Sequence, residues 1–548
     1  SLQLPLLAWG LAYIIGGPVS RSDARGVVHA TLGYAALAIV TQVTFSFRAR
    51  LAMELGEAVI HDLRRDLFAQ LQRLPMKYFV DNKIGRIISR FTSDAESVRV
   101  GIQDVLFVSL VSLGQMIVAA VLMCIYDWLL FLVIVTMAPM IWALNRYFRA
   151  RFSRTFRSMQ ESFSRITATI SESVSGIRET QGFAREDVNA SLFRRLATDH
   201  SSYSVTAARN MGVFLPLLEF NTQCFIAAVL FIGGWRVSQG SADVETLYQF
   251  ILLAQVFFGP IQVLGQQYSQ AMSAMAGAER VFALLDHSPS WVDPEDAIVL
   301  DALEGHVEFD NVAFSYVPDT PVLRGISFTA EPGQTIALVG PTGSGKSTVI
   351  NLIAKFYLTN SGIVRIDGHN IIGLQTQALR RRFGIVLQQN FLFTGTVLDN
   401  IRIGKPSASE QEVREAARRL DCLDTLEALP DGLHTRVGEG GKGISLGQRQ
   451  LICFTRAMLA NPKILILDEA TSAVDTVTEA RIQQALKVLL DGRTSFVVAH
   501  RLSTIRHADL VLVMAAGNIL QRGTHESLLE QGGLYRELYA QFVQATSA

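Results

Sequence analysis

Long apolar stretches alternate with charged segments in the first half of the chain. Five of them carry no charged residue and a sixth carries only Glu219; in chain order they are 1–20, 26–47, 105–126, 128–145, 211–235 and 246–278. A helix of about 20 apolar residues crosses a hydrocarbon core of about 30 Å, whereas buried helices of soluble proteins seldom exceed about 14 consecutive apolar residues. The pattern therefore predicts six membrane-spanning helices and a lipid bilayer as their surroundings.

Arginines accumulate between the fourth and fifth apolar stretches. They are Arg146, Arg149, Arg151, Arg154, Arg157, Arg165, Arg194, Arg195 and Arg209. Cytoplasmic loops of membrane proteins carry an excess of Lys and Arg, so this connection is predicted to be cytoplasmic. On the opposite side, Asp127 alone separates the third and fourth stretches. Because the chain opens directly in an apolar run, we expect a shortened first span rather than a cleaved signal peptide.

The two cytoplasmic connections are too long for simple loops, and they consist mostly of strong helix formers. We expect helical extensions of the spans, which reach about 40 Å beyond the membrane if each arm has about thirty residues. The first hairpin turns within residues 75–85, which include Tyr78 and Phe79, and the second turns within 176–182. Tyr78 and Phe79 either dock on another domain or pack within their own hairpin.

A segment rich in Pro, Ser and Asp follows the last apolar stretch, at residues 287–303. Such a change in composition is typical of a linker between domains. The sequence therefore predicts a transmembrane domain at 1–286, a linker at 287–303 and a second domain at 304–548.

The second domain contains a glycine-rich loop. It reads Gly340-Pro-Thr-Gly-Ser-Gly-Lys346-Ser347, follows an apolar strand pattern, and fits the phosphate-binding loop at every required position. Glycines let backbone N–H groups point at phosphates, Lys346 supplies a positive charge, and the Ser347 hydroxyl can bind Mg²⁺ at the start of a helix. The residues expected to contact the nucleotide here are Gly340, Thr342, Gly343, Ser344, Gly345, Lys346, Ser347 and Thr348.

A second apolar run ends in two acids, Asp468 and Glu469. The run is typical of a buried strand. At its end, Asp468 is predicted to help hold Mg²⁺, and Glu469 is suited to polarising a water molecule.

Further motifs extend this pattern in a fixed order: Phe314-Ser-Tyr316, Val386-Leu-Gln388, Ser445-Leu-Gly447-Gln448-Arg-Gln-Leu, Ser472-Ala-Val-Asp475 and Ala499-His500-Arg-Leu-Ser. Together with the phosphate loop and Asp468-Glu469, they resemble the ATPase domain of the ATP-binding-cassette (ABC) family. Two stretches of the first half, 85–94 and 172–186, resemble the cytoplasmic parts of exporter-type transmembrane domains. The resemblance thus covers the whole chain. It implies a half-transporter: an all-α six-helix transmembrane domain with long cytoplasmic helical extensions, followed by an α/β ATPase domain of the ABC type. It also implies that the two cytoplasmic turns are coupling helices that dock on ATPase domains, the second on that of the partner subunit.

The resemblance also implies roles for individual side chains. Tyr316 would offer its ring to the adenine of ATP, the alternative being an ordinary strand aromatic. Gln388 would be a third ligand of the Mg²⁺ held by Ser347 and Asp468, and together with Lys346 these groups would form an electrostatic cradle. Glu469 would act as the general base or orient the attacking water. His500 would lie beside the γ-phosphate and sense its presence, although a lone histidine is ordinarily a core residue.

The motif that contains Ser445, Gly447 and Gln448 caps, in the family, the ATP held by the opposite subunit. Two composite sites then form at the interface of a two-fold dimer, with Asp475 communicating between them. Leu446 stands where the family has glycine, a residue that allows the closest approach of the backbone to a nucleotide. A heterodimer with unequal sites and a homodimer that tolerates Leu446 are both open; retention of Ser445 and Gly447 slightly favours the homodimer.

The resemblance favours export over import, because six spans are fused to the ATPase domain and a segment at 435–441 is similar to an exporter-type element, with departures at Arg436 and Gly440. The expected cargo is hydrophobic or amphipathic, a drug or a lipid, and Glu219 is a candidate contact with the cargo or with a proton, or else a glutamate at the membrane edge. The alternatives are an importer of the same architecture, for example of a metal chelate or siderophore, and an ATP-gated channel or regulator.

Composition limits the classes of protein to which the chain can belong. The 548 residues exceed the size of one domain, and 18% charged residues fall below the roughly 25% that is typical of soluble domains. Zero formal net charge argues against a nucleic-acid partner. The four cysteines lack the spacing of a metal site or a disulfide framework. The expected location is the inner or plasma membrane, in a bacterium, with the ATPase domain in the cytoplasm.

Overall fold

The structure is a computed structural model that describes residues 3–300, 302–468, 476–499 and 501–547. The chain divides into two compact units. The helical unit comprises Ser1–Gln72 and Ile84–His287, and the sheet unit comprises Arg73–Lys83 and Ser288–Ala548. The first predicted cytoplasmic turn therefore groups with the sheet unit rather than with the helices on either side of it.

Helices make up the first half of the chain. They are α1 (Gln3–Ile14), α2 (Ala24–Arg73), α3 (Met76–Asp81), α4 (Ile84–Ser89), α5 (Ala95–Val100), α6 (Phe107–Tyr126), α7 (Trp128–Ser175), α8 (Ile177–Gly182), α9 (Glu186–Ser238) and α10 (Val244–Leu285). Three π-helical turns, Ile15–Val19, Arg90–Asp94 and Gly101–Leu106, continue their neighbouring helices. The helical turns α3 and α8 occupy the two places where the sequence predicts that the arms reverse.

Four helices within the described residues are long and apolar enough to cross a membrane: Ala24–Arg73, Ile84–Tyr126, Glu186–Ser238 and Val244–Gly265. A shorter apolar helix, Gln3–Val19, occupies the first predicted span. The fourth predicted span, 128–145, lies in α7. Each of the six predicted stretches thus forms helix, as the apolar pattern requires.

A single residue, Asp127, makes the turn between α6 and α7. Its backbone is extended, and its carboxylate accepts hydrogen bonds from the N–H groups of Leu129 (3.0 Å) and Leu130 (3.2 Å). A carboxylate at this position satisfies N–H groups that have no partner inside the helix and favours the positive end of its dipole. Asp127 also pairs with Arg236 near the end of α9.

Apolar side chains from α6, α7, α9 and α10 form the core of the helical unit near Asp127. Phe225 and Phe250 are fully buried there, and Phe225 contacts Phe258 edge to face at 5.2 Å. Many other apolar side chains of these helices are exposed, among them Phe231 at 80% and Ile125 at 74%. Exposed apolar surface on this scale suits helices whose outer faces contact lipid.

An ion cluster joins two of the extensions. Asp94 is 5% exposed and lies 2.6 Å from Arg90 and 2.6 Å from Arg280 of α10. A buried carboxylate between two guanidinium groups is compensated, so the cluster fixes the packing of α10 against the segment that precedes α6.

The described residues of the sheet unit form twelve strands. They are β1 (Val307–Phe314), β2 (Leu323–Ala330), β3 (Thr335–Val339), β4 (Ser361–Ile366), β5 (His369–Asn370), β6 (Phe383–Val386), β7 (Gly395–Thr396), β8 (Arg436–Val437), β9 (Ile464–Asp468), β10 (Thr494–Val498), β11 (Leu510–Ala515) and β12 (Asn518–Gly523). An antiparallel sheet has the order β2-β1-β4-β5, and a six-stranded sheet has the order β12-β11-β3-β10-β9-β6. In the larger sheet only β12 is antiparallel to its neighbour.

Besides α3, the described residues of this unit form ten α-helices: α11 (Lys346–Ile353), α12 (Thr376–Arg380), α13 (Val397–Arg402), α14 (Glu410–Arg419), α15 (Leu423–Glu427), α16 (Leu446–Ala460), α17 (Thr476–Leu490), α18 (Leu502–Arg506), α19 (His525–Gln531) and α20 (Leu534–Ser547). Strands β3 and β10 are buried along their whole length, as expected for the centre of a parallel sheet covered on both faces. All four cysteines are free, and Cys422 and Cys453 are buried in this unit.

Candidate functional site

Parallel strands bring the predicted nucleotide motifs to one edge of the larger sheet. Val498 of β10 pairs with Leu338 of β3 on one side and with Asp468 of β9 on the other. The glycine-rich loop leaves β3 immediately after this register, and Asp468 ends β9. The carboxyl ends of parallel strands are where open α/β sheets bind ligands.

Two glycines of the loop have backbone conformations that a side chain would disturb. Gly340 has φ 153°, and a Cβ there would lie 2.1 Å from the carbonyl oxygen of Met514. Gly345 has φ 104°, and a Cβ there would lie 2.7 Å from a methyl group of Leu323. Both positions therefore require glycine for packing as well as for conformation.

Lys346 is the first residue of α11 and is 7% exposed. Its ammonium donates to the carbonyl oxygens of Gly340 (2.8 Å) and Pro341 (2.9 Å) and lies 3.4 Å from the hydroxyl of Ser344. Burial lowers the pKa of Lys346, and the carboxylate of Asp468 opposes that shift. An anion bound in the loop would further stabilise the charged form, so the site favours a phosphate.

Ser347 and Asp468 face each other across the same edge. The Ser347 hydroxyl lies 3.5 Å from Oδ2 of Asp468. A hydroxyl and a carboxylate are oxygen donors, which Mg²⁺ prefers. The predicted metal ligands Ser347 and Asp468 are therefore brought together, and their chemistry fits Mg²⁺.

Gln388, the third predicted metal ligand, follows β6 by two residues and is exposed. It lines a small cavity of about 10 Å³ together with Asp468, Asn390 and Gln450. A cavity of this size holds about one water molecule. The structure thus brings Gln388 to the same end of the sheet as Asp468.

The hydroxyl of Tyr316 hydrogen-bonds to two residues of α11, the helix that follows the phosphate loop. The hydroxyl donates to Oγ1 of Thr348 (3.2 Å) and accepts from the side-chain amide of Asn351 (3.2 Å). Phe314 and Tyr357 contact its ring edge to face, at 4.8 and 5.0 Å between centroids. The hydrogen bond from Asn351 was missed by the sequence analysis, because a polar residue on a helix carries no motif of its own.

The predicted signature segment begins helix α16. Ser445 accepts a hydrogen bond from the N–H of Gln448 (3.3 Å), and the Gln448 side chain accepts one from the N–H of Ser445 (3.0 Å). This reciprocal arrangement is a capping box, which orients the positive end of the helix. Gly447 is buried in the first turn.

Leu446 is the first residue of α16 and is half-buried. A residue in helical conformation gains nothing from the freedom of glycine. The backbone here does not require a glycine, and the departure from the family pattern leaves the capping box intact.

Several predicted residues lie outside the described part of the chain. They are Glu469, Ser472, Asp475 and His500. Their roles stay predictions from the sequence.

One buried group near the site was missed by the sequence analysis. Lys355, just after α11, is fully buried and lies 2.9 Å from Asp293. The two residues are 62 positions apart, so no local pattern links them. The available signal was a lysine inside an otherwise apolar run after the phosphate loop.

Comparison with known families gives two matches. Residues 2–261 match the family described as ABC transporter transmembrane region, and residues 323–472 match the family described as ABC transporter. The two matches follow the two units of the structure in chain order.

Individual relatives match nearly the whole chain. A protein of Bacillus subtilis described as an uncharacterized ABC transporter ATP-binding protein is 35% identical over 541 residues, which cover 98% of this chain and 89% of that protein. An ATP-dependent lipid A-core flippase of Syntrophus aciditrophicus is 37% identical, covering 90% of this chain and 82% of its own. A fatty acid ABC transporter ATP-binding/permease protein of Mycobacterium tuberculosis is also 37% identical, covering 93% and 81%.

A solved structure has the same fold. It is that of a bacterial Atm1-family ABC exporter with ATP bound, with a TM-score of 0.81, 26% sequence identity, and coverage of 98% of this chain and 95% of the other. The superposition includes both units, so the resemblance is to an entire exporter subunit.

Proposed function

Since the chain belongs to the ABC transporter family and is an exporter-type half-transporter with ATPase activity coupled to transport, we propose that two copies hydrolyse ATP at shared sites to export a hydrophobic or amphipathic molecule. The observation that carries the proposal is the convergence of the phosphate loop, Asp468 and Gln388 at one edge of the sheet. The exporter architecture of the relatives disfavours the importer alternative.

Hydrolysis is assigned to side chains at that edge. The N–H groups of the phosphate loop and Lys346 hold the phosphates, and the glycine conformations let the backbone approach them. Glu469 orients the attacking water and accepts its proton, while His500 hydrogen-bonds to the γ-phosphate and senses its presence. Phosphoryl transfer depends mainly on such positioning and on charge stabilisation.

Mg²⁺ is the expected metal, because Ser347 and Asp468 offer hard oxygen donors 3.5 Å apart. When bound, it supplies positive charge to the phosphate oxygens. Gln388 is proposed as a further ligand of the same Mg²⁺.

The dimer is proposed from the chemistry of the signature segment. Ser445, Gly447 and Gln448 begin a helix whose positive end attracts anions, and in the composite arrangement this end caps the ATP held by the partner. Because Leu446 sits in ordinary helical conformation, we favour a homodimer with two equivalent sites. Asp475 then communicates between them.

The cargo class follows from the relatives and from the membrane helices. A lipid flippase and a fatty acid transporter are among the relatives, and a lipid or another amphipathic molecule suits a path between apolar helices. Glu219 is the one acid within the apolar stretches, and it is assigned to the cargo path. ATP binding favours one orientation of the path and hydrolysis releases it.

Orientation is assigned from the arginines. Arg146 and Arg149 follow the fourth predicted span and stack on Trp142 (5.5 Å) and Tyr268 (4.7 Å). Basic side chains are in excess on the cytoplasmic side, whereas aromatic side chains lie at both membrane boundaries. The ATPase domain then lies in the cytoplasm and the chain crosses the inner or plasma membrane six times.

The test is ATP hydrolysis by the purified chain in lipid vesicles. We expect Glu469→Gln to lower the hydrolysis rate at least about 100-fold with ATP binding retained, because only the water-activating group changes. Glu526→Gln is the control, since it removes an exposed carboxylate from the same unit. If Glu469→Gln hydrolyses ATP at the native rate, the assignment of Glu469 as the water-activating group is wrong.

A further inference from the structure

The lysine that follows the phosphate-loop helix occupies an unusual backbone position. Lys355 has φ 54°, and α11 ends with hydrogen bonds from the N–H of Phe356 to the oxygen of Asn351 (2.9 Å) and from the N–H of Lys355 to that of Leu352 (3.1 Å). This is the Schellman pattern, in which the left-handed residue is usually glycine. A lysine that accepts this conformation points to a role for its side chain.

The side chain of Lys355 is fully buried and uses all its donors. Its ammonium contacts Oδ1 of Asp293 (2.9 Å) and the carbonyl oxygens of Leu374 (2.6 Å) and Ile372 (3.4 Å). The ring of Trp291 lies 5.3 Å away and adds a cation–π contact. Three acceptors for three N–H groups compensate the buried charge.

Asp293 is fixed from the other side as well. It accepts hydrogen bonds from the N–H (2.8 Å) and the hydroxyl (2.5 Å) of Thr376. Burial raises the pKa of Asp293, but the bonds from Thr376 and Lys355 outweigh it and lower that pKa overall. The carboxylate is therefore charged at neutral pH and remains paired with the lysine.

We define the connector as residues 288–303, which follow α10. Beyond Asp293, its Ile298 pairs with the strand-like backbone at Leu374: the N–H of Ile298 donates to Gly373 (2.8 Å), and the N–H of Gln375 donates to Ile298 (2.9 Å). Leu303 is 5% exposed in the core of the sheet unit. From Trp291 onward the connector is thus anchored to the sheet unit.

The end of α10 is held separately within the helical unit. The carbonyl oxygen of His287 accepts a hydrogen bond from the side chain of Gln70 at 2.7 Å. Between His287 and Trp291 the chain has only Ser288, Pro289 and Ser290. Trp291 is four residues after His287, so the chain between these two anchored points can extend to at most about 14 Å.

We propose that Lys355 is a positioning residue that ties the end of the phosphate-loop helix to the connector, so that nucleotide occupancy at α11 is transmitted to α10. The inference rests on the proposed ATPase function of the phosphate loop. Lys355 acts through Asp293 and Trp291 and contacts neither the phosphates nor the reacting water.

The test compares two changes of different kind in the full-length protein in lipid vesicles. Lys355→Gly removes the anchor and suits the left-handed backbone, while the carboxylate of Asp293, which is 25% exposed, keeps its hydrogen bonds from Thr376. Insertion of Gly-Ser-Gly between Pro289 and Ser290 leaves the ion pair intact and adds slack. Asp421→Gly is the matched control, because Asp421 has φ 54° in the corresponding turn after α14 and is exposed.

The readout is hydrogen–deuterium exchange of peptides from α11 and from residues 270–285 of α10, with and without ADP and vanadate. In the native protein and in Asp421→Gly we expect nucleotide to slow exchange in α11 and to alter it in α10. In Lys355→Gly and in the insertion variant, the α11 response persists and the α10 response is lost. The KM for ATP stays within about twofold, because neither change touches the nucleotide site.

Two results would overturn the inference alone. An α10 response that persists in both variants would show that the signal takes another route. Loss of the α10 response in Lys355→Gly, together with its full retention in the insertion variant, would show that the ion pair only stabilises the fold. A native protein in which α11 itself does not respond to nucleotide would instead overturn the proposed ATPase site, and the inference with it.

Discussion

At Gly340, the addition of a single carbon atom is expected to strain the phosphate loop. A Cβ there would meet the carbonyl oxygen of Met514 at 2.1 Å, and the backbone at φ 153° suits glycine alone. We expect Gly340→Ala to cost about 1–3 kcal/mol through backbone strain. Since about 1.4 kcal/mol corresponds to a factor of ten, strain of this size that opposes the ATP-binding conformation of the loop should lower ATP affinity about 5- to 150-fold.

The measurement is a titration with a fluorescent ATP analogue. Gly373→Ala is the control, because a Cβ at Gly373 meets nothing within 4 Å. Equal affinities of the Gly340 and Gly373 variants would contradict the account of the loop.

Leu446 is a departure from the family pattern that the backbone tolerates. It occupies the first position of α16 in helical conformation. Leu446→Gly should therefore change the ATPase rate by no more than about twofold, since glycine costs at most about 1 kcal/mol in helix propensity and gains no needed freedom. A tenfold increase measured in steady-state hydrolysis would show that Leu446 obstructs the composite site and would favour unequal sites.

Among the described helices, two begin with a capping box built on a serine and allow a matched comparison. Ser445 and Gln448 form a capping box on α16, and Ser409 and Glu412 form one on α14. Replacing either serine by alanine should cost about 1 kcal/mol of stability, because an N–H group loses its acceptor. Only Ser445→Ala should also lower the ATPase rate, because α16 alone is proposed to face a nucleotide.

The two variants are compared by thermal unfolding and by ATP hydrolysis under the same conditions. Equal losses of stability with unequal losses of rate support the proposed role of α16. Equal rates would contradict it.

The elements that the sequence predicts well are those set by local pattern. Six apolar stretches form helix, and the glycine-rich loop lies between β3 and α11, because periodicity and glycine spacing act over a few residues. Contacts between distant residues leave no such pattern. The pairing of Lys355 with Asp293 and the attachment of Tyr316 to Asn351 depend on how β1, α11 and the connector pack.

The connector is a second case in which contacts between distant residues could not be predicted from the sequence. The Pro, Ser and Asp content predicts a linker at 287–303, and it does not predict that Asp293, Ile298 and Leu303 bind the sheet unit. Composition cannot reveal that a carboxylate will meet a buried lysine 62 residues away.

At the scale of the whole molecule, the proposed orientation predicts which turns can be labelled from outside. Val244, at the start of α10, is 67% exposed, and Phe183, between α8 and α9, is 78% exposed. In a Cys124→Ser background, Val244→Cys should react with a membrane-impermeant maleimide on intact cells. Phe183→Cys should react only after the membrane is opened, because the arginine-rich arms mark the cytoplasmic side. The reverse pattern would contradict the orientation.

The most direct test of the central claim is to purify this chain alone in lipid nanodiscs and measure its mass and its ATPase rate on the same sample. We expect a dimer that hydrolyses ATP without any other subunit, because each site takes its phosphate loop from one copy and its signature from the other. A monomer, or a dimer that binds ATP without turnover, would contradict the homodimer and show that a different partner completes the site.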